Sequence, residues 1–171
     1  MVNFKDVPTY ENGQWTITSF PTREDFRDYL LTLFKEPGKY NFDDATLIFN
    51  AEARKFQKQG YYCQAPFKSK DFMAYWDDQK MKCKSGIIVK NGSNEWYISR
   101  DYYMWLNFLP IYDKEEKRFD FAKVRDAQYH MALYEHLAEL HWKHAVILKK
   151  RQIASSYFHM AKLINQYWFE E

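Results

Sequence analysis

The spacing of apolar residues changes at Gly86, and that change limits the folds open to the chain. Ahead of it, from Ser69, the residues Phe72, Tyr75, Trp76 and Met81 recur at helical intervals. Behind it, Ile87-Ile88-Val89 and Trp96-Tyr97-Ile98 are two short runs of strand character separated by Asn91-Gly92-Ser93-Asn94. A β-hairpin near residues 86–99 is expected, with four turn residues that leave its register loose. One small antiparallel hairpin among helical stretches makes the expected class α+β and mainly helical.

The flanking segments carry their own punctuation. Residues 1–20 mix Pro8, Asn12 and Gly13 with the alternating Trp15-Thr16-Ile17-Thr18, which suits an extended arm or edge strand. Thr22 and Asp25 form a capping signal for a helix over about 22–35, in which Phe26, Tyr29, Leu30 and Leu33 face one way until Pro37-Gly38. A second helix is expected from Asp43-Asp44 to Gly60, and Arg100 to Phe108 is helix-compatible up to Pro110. The run Asp113 to Arg118 reads as a charged loop and marks a boundary between residues 1–112 and residues 119–171. Beyond it a helix over about 122–142 leads into Ala145-Val146-Ile147-Leu148, of buried-strand character, then a basic stretch and another amphipathic helix.

Composition narrows the function classes. Aromatic residues are 20% of the chain, and 25 basic against 23 acidic residues leave a formal charge of +2, so nucleic acid would be met locally rather than by net charge. Cys63 and Cys83 lack the density of a disulfide framework and are expected reduced. Met1 to Pro8 has no apolar run of signal-peptide type, and no segment reaches membrane-spanning length, so a soluble cytoplasmic protein is expected. His130, His136, His141, His144 and His159 raise a metal hypothesis, and His141 and His144 lie one helical turn apart, but no carboxylate or cysteine completes a zinc spacing.

A strand running into a loop and then a helix is the layout in which loop amides and a helix N-terminus converge on phosphate. Here the loop reads Lys149-Lys150-Arg151-Gln152-Ile153-Ala154-Ser155-Ser156. It lacks the paired glycines and terminal Lys-Ser or Lys-Thr of an ordinary P-loop. It resembles the deviant Walker A motif of the large terminases of tailed phages, approximately Lys-x-Arg-Gln-Ile-Gly-x-Ser, with Ala154 where the family has glycine. Arg125-Asp126-Ala127-Gln128-Tyr129 is similar to that family's adenine-reading glutamine motif. The stretch Cys83 to Gly86 through Tyr103-Met104-Trp105-Leu106-Asn107-Phe108-Leu109-Pro110-Ile111 resembles the segment ahead of the ATPase core in some of its members, including crAss-like ones.

The resemblance implies that the helix, strand, loop and helix of residues 119–171 begin a P-loop α/β ATPase core, incomplete here. It implies ATP and magnesium as cofactors. Gln128 would read adenine, and Lys149, Lys150, Arg151, Gln152, Ser155 and Ser156 would hold the phosphates. Lys149 and Arg151 would neutralise them, and Ser156 would meet the magnesium ion. Double-stranded DNA, a portal and a small terminase protein are the implied partners, in the host cytoplasm if the protein is viral. The acidic pair that follows an apolar strand in such motors is missing, so no catalytic residue is assigned and no turnover by this chain alone is expected. Tyr167-Trp168-Phe169 could pack against another copy, giving a homo-oligomer. The alternative is a complete small module whose aromatic surfaces bind protein or nucleic acid without a nucleotide.

Overall fold

A computed structural model describes residues 4–113, 117–148 and 155–169. The N-terminal segment forms two strands, β1 (Asp6–Glu11) and β2 (Gln14–Ser19). The turn between them is Asn12-Gly13, both at positive φ (51° and 81°), as a two-residue hairpin turn of this kind requires. Helix α1 (Arg23–Leu33) starts as expected. The Thr22 side chain accepts from the Asp25 amide at 3.1 Å, and the Asp25 carboxylate accepts from the Thr22 amide at 3.0 Å. Its buried face is Phe26, Leu30 and Leu33.

The single helix expected from Asp43 to Gly60 is broken. A 3-10 turn (Asp43–Ala45) leads into α2 (Thr46–Phe49), and α3 (Ala51–Gln59) restarts after Asn50. The break is made by a distant side chain. Asn107 Nδ2 donates to the Phe49 carbonyl at 2.8 Å, and its Oδ1 accepts from the amides of Glu52 at 3.0 Å and Ala53 at 3.4 Å. One amide side chain thus stands in for the backbone bond that a continuous helix would make there. Gly60, at φ 79°, ends α3 in the left-handed cap its position promised.

Helix α4 (Lys70–Ser85) is capped by Ser69 and runs to Gly86. Strands β3 (Ile87–Asn91) and β4 (Asn94–Ile98) form the expected hairpin with a tighter turn, since Asn91 pairs with Asn94 and only Gly92 and Ser93 turn the chain. The sheet order is β2-β1-β3-β4, with β1 and β3 parallel and the other neighbours antiparallel. Helix α5 (Arg100–Phe108) is buried along most of its length. The charged loop expected after it is flanked by a small hairpin, β5 (Ile111–Asp113) and β6 (Arg118–Asp120), with residues 114–116 outside the described residues.

Helices α6 (Asp126–Leu140) and α7 (Ser155–Phe169) complete the fold, which is α+β and mainly helical. The strand expected over 145–148 is not formed. Residues 143–148 run without helix or strand, with Val146 79% and Leu148 96% exposed. A buried strand needs a sheet to join, and residues 143–148 pair with none of the described strands. Helix α7 packs instead on α5, where Phe158 meets Trp105 at 5.7 Å and Tyr102 at 6.1 Å between ring centres. One buried cluster therefore takes in residues from both sides of the 112/119 boundary, Tyr102 and Trp105 together with Tyr129, Leu133 and Phe158. Among the described residues no helix is long and apolar enough to cross a membrane.

Candidate functional site

Six residues of the phosphate-loop resemblance, Lys149, Lys150, Arg151, Gln152, Ile153 and Ala154, lie outside the described residues. The last two residues of the motif lie on α7, with Ser155 buried and Ser156 exposed. A cavity of about 440 Å³ lies between α6 and α7, lined among others by Met131, Glu135, Glu139, Lys143, Ser155 and Lys162.

The floor of the cavity is charged and largely self-satisfied. The Lys162 ammonium donates to Glu135 at 3.2 Å and forms a close ion pair with Glu139. Burial pulls the Lys162 pKa down, but the hydrogen bond and charge of Glu139, and then Glu135, outweigh it and hold it above the ordinary lysine value. His159 Nε2 lies 2.9 Å from Glu135 Oε1, and its Nδ1 lies 2.7 Å from the Ser155 carbonyl. With an acceptor at each ring nitrogen, both contacts become hydrogen bonds only for the doubly protonated, cationic ring. Glu135 and Glu139, both lining the cavity, repel an anion that enters it. Among the described residues no three His, Cys, Asp or Glu side chains are grouped to hold a metal ion.

Behind the cavity the polar cluster continues into the core. Arg100 Nη2 lies 3.7 Å from Glu139, and Asn165 Nδ2 donates at 2.9 Å both to Asp101 Oδ1 and to the Cys83 carbonyl. Burial pushes the Asp101 carboxyl up to about 6, against the opposing charge of Arg100. Burial likewise pushes His136 down to about 3, helped by the Arg100 charge. His136 is therefore neutral near pH 7, and its 3.9 Å separation from Glu139 is not an ion pair.

These two shifts oppose each other in acid. A lowered folded-state pKa means that His136 contributes stability that is lost as pH falls from its ordinary value of 6.5 toward about 3. A raised one means that the folded protein binds the Asp101 proton more tightly than the unfolded chain does, so stability rises as pH falls from about 6 toward 3.8. Between about pH 7 and pH 4, Asp101→Asn is expected to lose roughly 2 kcal/mol more than the parent, and His136→Gln roughly 3 kcal/mol less. Urea unfolding at the two pH values measures both, and parallel curves for all three proteins would remove the assignment.

Gln128 stands in the first turn of α6, only 4% exposed, one turn ahead of the cavity residue Met131. Helix geometry puts it about 4.5 Å along the axis from that residue, and it is not among the residues that line the cavity. Sequence reasoning did not single out Glu135, Glu139 or Lys162, and weighed His159 only as one of five histidines for a metal. The four-residue spacing of the two acids on α6 and the three-residue spacing of His159 and Lys162 on α7 were the available signals. Comparison of the chain with protein-family models, with curated proteins and with solved structures returns no match.

Proposed function

We propose that the chain is part of an ATP-driven DNA-packaging motor of the large-terminase kind, contributing phosphate and adenine recognition to translocation of double-stranded DNA. The observation that carries this reading is that the last two motif positions lie on a helix. Ser155 and Ser156 belong to α7, as the closing residues of a Walker-type motif do, and the basic run Lys149-Lys150-Arg151 precedes them in the sequence. The exposed position of Ser156 suits a magnesium ligand. Bound ATP would supply the phosphoryl chemistry. This chain's residues would bind and orient it, Lys149 and Arg151 at the phosphates and Gln128 toward the base after a local opening of α6. A portal and a small terminase protein are the partners of this reading.

Titration of the protein with fluorescent ATP in magnesium buffer tests it. Binding is expected, weakened tenfold or more in Arg151→Ala, because a charge-assisted hydrogen bond is worth roughly 1.5–3 kcal/mol. Absence of ATP binding in both proteins sinks the proposal. A second reading, a module that binds protein or nucleic acid without nucleotide, is favoured by large aromatics left in solvent, Trp142 at 80%, Tyr167 at 85% and Trp168 at 67% exposed. Salt-sensitive binding of single-stranded DNA that ATP does not change would select it.

A further inference from the structure

The open side of β2 is an unblunted strand edge. Among the described residues β2 pairs only with β1, and its six residues are Gln-Trp-Thr-Ile-Thr-Ser, with no charge and no proline. Proteins ordinarily protect such an edge with lysine, proline, a bulge or a covering element. Here Trp15 and Ile17 are 43% and 49% exposed.

The direction of the backbone groups follows from two contacts and the strand register. The Lys5 carbonyl accepts from the Phe20 amide at 2.8 Å, and the Thr9 carbonyl accepts from the Thr16 hydroxyl at 3.4 Å, so odd-numbered residues of this segment face β2. Thr9 pairs with Thr16 and Val7 with Thr18. Strand groups alternate sides with every residue. Gln14, Thr16 and Thr18 therefore turn their N–H and C=O toward β1, while Trp15, Ile17 and Ser19 turn theirs to the open edge.

We propose that this edge pairs with the same edge of a second copy, antiparallel about a two-fold axis through Thr16. That register sets Trp15 opposite Ile17 of the second copy, twice, and both residues carry the outward hydrogen-bonding groups that such a pair exchanges. Gln14 falls opposite Thr18 and Thr16 opposite itself, so apolar meets apolar on one face and polar meets polar on the other. A two-fold axis between residues would set side chains of opposite faces against each other, and one through Ile17 would set Trp15 against Ser19. Uncharged strands do not repel in self-pairing. Lys82 of α4, its ammonium 3.9 Å from the Trp15 ring centre, lies on the apolar face. Helix α4 packs over β1. The two β1 strands would stand three strand spacings apart, roughly 14 Å, which leaves room for both α4 helices at their usual 8–10 Å packing distance.

Single cysteines at the edge, placed in a Cys63→Ser background, test the register. Across the axis only residue 16 meets itself, at the roughly 4.5 Å Cα separation of a non-hydrogen-bonded pair, inside disulfide range. Thr16→Cys is expected to oxidise to a covalent dimer, whereas Trp15→Cys and Ile17→Cys, each two residues out of step with itself, are not. Sedimentation should show a concentration-dependent dimer for the parent and a monomer for Ile17→Lys, with unchanged circular dichroism. Three outcomes overturn the proposal. They are a parent monomeric at all concentrations, a dimer that survives Ile17→Lys and so uses another face such as that of α7, and equal cross-linking at all three positions.

Discussion

Asn107→Ala is expected to lower the stability of the fold by about 4 kcal/mol, because several buried backbone groups lose their partner at once. Asn107 has no exposed surface. Its Oδ1 serves the Glu52 and Ala53 amides at the start of α3, and its Nδ2 donates to the carbonyls of Phe49 and Tyr103, at 2.8 Å and 3.0 Å. The local cap residue, Asn50, makes no capping bond of its own. Alanine leaves the first amides of α3 without an acceptor in a site too enclosed for free access of water. For a chain of this size the loss corresponds to a fall in melting temperature of roughly 8–16 °C. Asn107→Asp separates the two halves of the role. A carboxylate still accepts from the α3 amides but faces the Phe49 and Tyr103 carbonyls with no proton to donate, so it should recover part of the loss in acid, where it protonates. A cost below about 1 kcal/mol for Asn107→Ala would show that the residue merely fills space.

Asn107 also shows where sequence reading stops. The Leu-Asn-Phe-Leu-Pro-Ile stretch stood out by composition, yet the task of its asparagine is set by Glu52, 55 residues earlier in the chain. The broken helix over 43–60 was therefore invisible locally, while α1 was legible because Thr22 and Asp25 settle its start within four residues. The β3–β4 hairpin was legible from Gly92 and its apolar flanks. The hairpin before it was under-read, although Asn12-Gly13 carried the same signal. Ala145 to Leu148 was misread because an apolar run of four has the same periodicity whether it is buried in a sheet or left in solvent. Of the candidate site, the helix that carries Ser155 and Ser156 was readable, while the basic run lies outside the described residues. The Glu135, Glu139, His159 and Lys162 cluster was not, since it exists only where α7 lies against α6.

The second large effect is expected at Gly86, where α4 ends and β3 begins. Its backbone sits at φ 75°, ψ −169°, a region that residues with a Cβ almost never occupy. A Cβ there would lie 2.4 Å from the Ile98 carbonyl oxygen and 2.7 Å from the Tyr97 hydroxyl, closer than real contacts permit. The first neighbour is backbone of the paired strand, since Ile87 pairs with Ile98, and it cannot swing aside. The second is held on both sides, donating to the Ser85 carbonyl at 2.8 Å and lying 3.2 Å from His136 Nε2. Gly86→Ala must therefore open the β3–β4 ladder or displace Tyr97 from its contacts with α4 and α6. We expect a loss of about 4 kcal/mol or more, combining roughly 1–3 kcal/mol of backbone strain with overpacking of similar size. Gly60→Ala supplies the control, since Gly60 also has positive φ but nothing within 4 Å of an added Cβ. It should cost about 1 kcal/mol, the backbone term alone. If denaturant unfolding gives the two variants equal stability, the close approach at Gly86 contributes nothing and the strand is free to relax around it. A large difference instead makes this glycine the point where the helical and strand halves of the chain are joined in register.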